Sequence, residues 1–212
     1  MHGRQLTLGS ALERITGIAL RGGAQVRHCV AVAGGSCSGK TYLAKRLEQA
    51  LGDCGVTSVR LPLDDYFRAC DDPELPRDAL GRTVFDVPAA FHLAELRSHA
   101  IQLLEGYSVL ARRYDAVINR CLYGAEVKSG RVLVVEGLFA IDACEGIAGL
   151  RIFVDASKST RLARRIARDR RFGVADDVIV HAFETRVEPY QLRHVRPQAA
   201  RADLLVWSEI TR

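Results

Sequence analysis

The stretch that most constrains this chain is HCVAVAGGSCSGKTYLAKRLEQAL, residues 28–51. Residues 28–33 read as a strand, and from Lys40 to about Leu51 the apolar residues recur at helical spacing. Between them Gly34-Gly35-Ser36-Cys37-Ser38-Gly39-Lys40-Thr41 satisfies G-x-x-x-x-G-K-[ST] with a strand before it and a helix after it. Such a junction is a tight strand-to-helix turn whose consecutive N–H groups face inward and are joined by the positive end of the helix, a cradle for phosphate. Lys40 supplies a mobile charge for the β- and γ-phosphates, and the Thr41 hydroxyl is placed for Mg²⁺. The lysine is informative because 26 of the 30 basic residues are arginine. An ammonium on a flexible stem can follow a phosphoryl group as it moves, whereas a planar guanidinium demands a fork-shaped partner.

The rest of the chain alternates in the same manner. Apolar runs at 56–63, 131–137, 150–156 and 202–207 alternate with helical patterns at about 89–105, 158–170 and 175–190. Continuous β-branched runs are the mark of strands covered on both faces, so the expected fold is α/β: a P-loop nucleotide-binding fold, a three-layer sandwich around a mainly parallel sheet. The whole chain, 1–212, reads as one kinase-like domain. Residues 66–88 read as a long surface loop, 107–130 as a small hairpin excursion, and about 161–175 as a helical lid. A leading helix is expected from Ser10 to about Leu20, with Ser10 as N-cap and Glu13 completing a capping box.

Composition narrows the partners. A net charge of +5 suits nucleic acid and phosphate-binding pockets alike. Six cysteines show no CxxC or Cys/His cluster, so free thiols in a reducing cytoplasm are expected rather than zinc or disulfides. No apolar run approaches the ~18 residues of a membrane span. No NKxD segment for guanine is present, and the DxxG at Asp78–Gly81 lies in a loop. A small-molecule kinase remains, and it needs an acid to handle the acceptor's proton. Asp64 and Asp65 stand where the second strand ends, the rim at which such sheets bind ligands. Glu136 closes VLVVE, and a carboxylate after four apolar residues is costly without a cation, so it is assigned to Mg²⁺. Arg161, Arg164, Arg165 and Arg168 recur at i+3 and i+4 as one cationic face that can close on phosphates.

The stretches VAVAGGSCSGKTYLAKRL, LPLDDYFR, FDVPAAF, RRYD, VLVVEGLFAI, RIFVDASKSTRLARRIARD and ARADLLV, in that order across residues 28–207, resemble the uridine kinase and phosphoribulokinase family. The resemblance implies phosphorylation of a nucleoside 5′-hydroxyl by ATP or GTP with Mg²⁺. It implies Asp64 as the base, Asp86 on the ribose hydroxyls, Tyr114 beside the base or sugar, and Arg165, Arg168 and Arg170 or Arg171 closing on the phosphates. The chain departs from the family pattern in several places. Asp64-Asp65-Tyr66-Phe67 stands for Asp-Ser-Phe-Tyr, which puts Phe67 where the family has a tyrosine, and Val87 stands for a histidine. Ala116 and Asn119 replace an aromatic and a histidine that contact the pyrimidine in the family, which weakens the case for uridine or cytidine. Other alcohols remain open as acceptors (ribulose phosphate, pantothenate, nicotinamide riboside), as does a nucleotide-binding regulatory protein without turnover. A cytoplasmic enzyme is expected, acting on a small molecule without nucleic-acid or membrane partners and possible as a homo-oligomer.

Overall fold

The computed structural model describes residues 5–6, 8–20, 27–115 and 120–208. Its centre is a sheet in the order β1 (Gln5–Leu6), β8 (Leu204–Trp207), β7 (Leu150–Asp155), β2 (His28–Gly34), β6 (Val132–Glu136) and β3 (Ser58–Pro62). Every pairing in it is parallel, so the expected α/β fold is the one observed. The continuous apolar runs arise because both faces are covered. Val30 and Val32 of β2, Val132 and Val134 of β6, and Ile152 and Val154 of β7 pack with α1 (Leu8–Leu20) and α2 (Lys40–Asp53) through Ile15, Leu43 and Leu47. The alternate residues Ala31, Ala33, Leu133, Val135 and Phe153 pack on the other face. There they meet α3 (Leu93–Glu105) and α4 (Ala140–Ala143) through Leu96, Ala100 and Ile141.

Several sequence expectations are corrected. The leading helix begins at Leu8, so Ser10 sits inside its first turn and is not its N-cap. The helix expected from about 89 is broken. A 3₁₀ turn at Pro88–Ala90 is followed by extended Phe91, which bridges antiparallel to Phe67 and stacks on its ring at 4.2 Å, and α3 starts only at Leu93. Residues 66–88 are irregular, but they are not wholly a surface loop, because Tyr66, Leu75 and Val84 are buried and anchor it to the core. The hairpin at 107–130 is present as β4 (Val109–Asp115) and β5 (Arg120–Val127), paired antiparallel.

After α5 (Lys158–Asp169), whose N-cap Ser157 accepts a hydrogen bond from Thr160 N, a 3₁₀ turn Arg170–Phe172 leads into α6 (Asp176–Ala182). The helical path then runs past the expected end near 190, to Arg201. It does so through widened π turns at Phe183–Val187 and Gln191–Val195, on either side of α7 (Glu188–Tyr190). Pro189 lies between the two π turns and lacks the N–H that a regular α-helix would use there. Among the described residues no helix is long and apolar enough to cross a membrane.

Phe153 is fully buried in the central strand β7. Phe153→Ala is expected to lower unfolding free energy by about 3–5 kcal/mol through lost transfer energy and the cavity left behind. Urea denaturation checks this, and a loss under 1 kcal/mol would contradict the packing.

Candidate active site

Because β2, β6 and β3 run parallel and adjacent, their C-terminal ends open on one rim. The register sets Glu136 beside Val32 on one side and Pro62 on the other. Gly34 and Asp64 each lie two residues further along, so the phosphate loop and the candidate base flank Glu136. A cleft of about 490 Å³ opens there, lined by Ser36, Cys37, Gly39, Lys40 and Thr41 of the loop together with Asp64, Phe67, Asp86, Glu136, Arg165 and Arg168.

The loop is built by its backbone. Gly39 has φ 106° and begins α2 without a side-chain cap, leaving the first N–H groups of the helix free for a ligand. Among the described residues Cys37 is the non-glycine residue with positive φ, at 61°, so the turn passes through left-handed backbone there. Gly35 is buried against the carboxamide of Gln191, and a Cβ there would overlap that side chain. Lys40 Nζ donates to Gly35 O at 2.7 Å, so the lysine folds across the loop's own floor. Burial pushes the Lys40 ammonium below its ordinary 10.5, opposed by Glu136, Asp64, Cys37 and Asp86.

Glu136 is 5% exposed and doubly bonded. Thr41 Oγ1 donates to its Oε2 at 3.2 Å, and Arg60 Nη1 to its Oε1 at 3.2 Å. Burial pushes its carboxyl above the ordinary range, with Lys40 and Arg60 opposing the rise and Asp64 adding to it. A threonine hydroxyl and a carboxylate meeting beside a phosphate cradle are hard oxygen donors, the chemistry Mg²⁺ takes. Among the described residues no group of three or more His, Cys, Asp or Glu is set to hold a metal.

The two neighbouring aspartates part company. Asp64 is exposed in the cleft and has no hydrogen bond or ion pair among the described residues. Asp65 turns to the hairpin, where its Oδ1 accepts from Tyr114 N at 3.3 Å, and burial pushes its carboxyl up. Asp86 is half-buried, with its carboxyl raised above the ordinary 3.8 by burial against the opposing pull of Arg165, Lys40 and Arg168. Tyr114 is not among the residues lining the cleft. It stands behind Phe67 at 5.5 Å between ring centroids, its hydroxyl 4.0 Å from Cys70 Sγ, and its pKa is pushed up to about 12 by burial and that thiol. Ala116 and Asn119 lie outside the described residues.

The arginines divide. Arg165 donates to Ser36 Oγ at 3.3 Å and Arg168 lines the cleft, both leaning on Asp169. Arg170 pairs with Asp176 outside the cleft, and Arg171 is exposed there. Arg161 does not join a cationic face: it is 3% exposed, bonded to Glu188 at 2.7 Å and to Ala156 O at 3.3 Å, with its guanidinium over the Phe183 ring. Its position on the core side of α5 turns it inward.

One arginine expected on the cationic face has another role, and two contributors, Gln191 and Arg60, went unread in the sequence. Arg164 Nη1 donates to Cys37 O and Ser38 O, tying the loop to Ser208 beyond β8. Gln191 braces Gly35, and Arg60 neutralises Glu136. An arginine interrupting the apolar run SVRLPL was a readable signal for Arg60, whereas Gln191 had none.

A parallel sheet that presents a Gly-Lys-Thr loop, a facing carboxylate and an arginine-bearing helix around one cleft defines a P-loop phosphotransferase. The chain belongs to the Phosphoribulokinase / Uridine kinase family, whose model matches residues 29–211. It is similar to a uridine kinase of Deinococcus deserti, 34% identical over 84% of this chain and 86% of the relative. It is also similar to one of Mycoplasma pneumoniae, 34% identical over 85% of each. In structure it resembles phosphoribulokinase from Rhodobacter spheroides, with TM-score 0.64 and 20% identity, covering 89% of this chain and 74% of that one. The protein is thus a kinase: it transfers a phosphoryl group from a nucleotide to an alcohol on a small substrate.

Two expectations follow. Arg161→Ala leaves Glu188 without its partner and is expected to cost about 3–5 kcal/mol of stability in urea, against within ~0.5 kcal/mol for Arg168→Ala. Equal losses would refute the division. Asp86 holds its proton more tightly folded than unfolded, so its contribution is present below 3.8 and lost as pH rises above that value. Asp86→Asn is therefore expected to be more stable than the parent at pH 7, with the gap closing near pH 4, as thermal melts at both pH values will read.

Proposed function

We propose that this kinase uses Mg²⁺ and ATP or GTP to phosphorylate a hydroxyl of a small ribose-bearing molecule, of which a nucleoside 5′-hydroxyl is the leading form, within the cytoplasm. The observation that carries this reading is Asp64. It is an exposed carboxylate without a partner among the described residues, in the same cleft as Lys40 and the lid arginines. Structural acids at strand ends are engaged, as Asp65 is by Tyr114 N, whereas a group that must accept a proton is left open.

In this reading the loop from Gly34 to Thr41 and the N-terminus of α2 grip the phosphates, and Lys40 leaves Gly35 O to follow the transferring group. Thr41 and Glu136 would hold Mg²⁺, which when bound offsets phosphate charge. Asp64 orients the acceptor hydroxyl and takes its proton, while Asp86 holds the ribose hydroxyls and Phe67, backed by Tyr114, presents a ring to the substrate. Arg165 and Arg168 meet the negative charge that spreads over the phosphoryl oxygens and help exclude water, the competing acceptor.

Asp64→Asn is expected to lower kcat by at least about a hundredfold while nucleotide affinity, measured by calorimetry, stays within about twofold, since general base work contributes roughly 10²–10⁴. Parallel loss of both would remove Asp64 from the base role. ADP release over a panel of nucleosides and polyols tests the kinase reading of the cleft and identifies the acceptor.

A further inference from the structure

Beside the main cleft lies a second pocket of about 220 Å³ between residues 83–86 and the helical path of α6 and α7. Phe85, Asp86 and Arg165 line both spaces, so the pocket extends from the position of the candidate ribose-binding acid. Its far wall is Arg186 and Tyr190, and Ala182 leaves the room between helix and loop.

Arg186 is set apart by what it lacks. Arg161 is engaged by Glu188, Arg165 and Arg168 by Asp169, Arg170 by Asp176, and Arg164 by the carbonyls of the phosphate loop. Half-buried Arg186 has no carboxylate and no hydrogen-bond partner among the described residues. Tyr190 has its ring stacked on His194, and its hydroxyl has no partner among the described residues. A guanidinium is always charged and carries a planar fork of donors that matches a carboxylate or phosphate. Held half-desolvated and unpaired, it is a cost to the fold that an incoming oxyanion would remove. Asp86, the acid at the boundary, is drawn on by Arg165, Lys40 and Arg168, so it does not cancel Arg186.

We infer that this pocket receives an oxyanion, a carboxylate or a phosphate ester, carried by the acceptor itself, and that Arg186 selects for it. The inference rests on the kinase reading of the main cleft and narrows its acceptor to an acidic one. It agrees with Ala116 and Asn119 standing where the resemblance places pyrimidine contacts, since selection is then moved to another part of the substrate. Ser, Thr or Gln in place of Arg186 would hydrogen-bond neutral and acidic groups alike, whereas the charge of arginine favours the anion.

Two matched pairs test this with ATP and Mg²⁺: uridine against orotidine, which adds a carboxylate, and ribulose against ribulose 5-phosphate. In one pair the charged member is expected to have at least about tenfold higher kcat/KM, the scale of a hydrogen-bonded charge. Which pair shows it identifies the source of the oxyanion. Arg186→Ala is expected to collapse that ratio toward one, mainly by raising KM, and Arg186→Lys to restore part of it. No preference for the charged member in either pair, or equal loss for both members in Arg186→Ala, overturns the inference and leaves the kinase reading standing. If no compound raises ADP release above background, the kinase reading fails instead. Calorimetry of orotidine and ribulose 5-phosphate on protein saturated with a non-hydrolysable ATP analogue then decides the pocket by itself: binding lost in Arg186→Ala upholds it, and binding that is absent or indifferent to Arg186 overturns it.

Discussion

The structure turns on a carboxylate that a parallel sheet places where water cannot solvate it. Glu136 ends β6 between Val32 and Pro62, with its backbone committed to both neighbours and its side chain 5% exposed. A lone charge there would cost several kcal/mol, so its surroundings must supply compensation. Arg60 and Thr41 do so by hydrogen bonds and Lys40 by its charge. These residues come from β3, which leads into the turn carrying Asp64, and from α2, which follows the phosphate loop. The electrostatic demand of one buried acid thus holds the candidate metal-binding oxygens, the phosphate loop and the candidate base in fixed relation.

Arginine serves three separate purposes in this chain, and burial sorts them. Arg161, enclosed between Ala156 and Glu188, binds α5 to α7 and contributes to stability. Arg164 fastens the phosphate loop through the carbonyls of Cys37 and Ser38. Arg165 and Arg168 line the cleft, where Asp169 pairs with both. Identical side chains on one helix therefore differ in role because successive positions face core, loop and cleft.

One wall of the cleft is aromatic. Phe67 packs between Phe85, Phe91 and Tyr114, and it lines the cleft. The break before α3 is part of this arrangement: Phe91 leaves helical geometry in order to stack on Phe67 and bridge its backbone. Local propensity gives way there to packing that shapes the cleft wall.

Much of this was legible in the residue order. The phosphate loop, the parallel sheet covered on both faces, the hairpin and the carboxylate at the end of β6 follow from local patterns: period, glycine spacing, and an acid closing an apolar run. Those signals are short-range, and backbone geometry translates them directly into structure. The difference between Asp64 and Asp65, the inward turn of Arg161, the buttress of Gln191 under Gly35 and the unpaired state of Arg186 were not legible, since each depends on what lies across the fold. Side chains of the same type at adjacent positions carry the same sequence signal. Whether a carboxylate is open or engaged, and a guanidinium enclosed or waiting, is set by partners tens of residues away, and folding alone brings those within hydrogen-bonding distance.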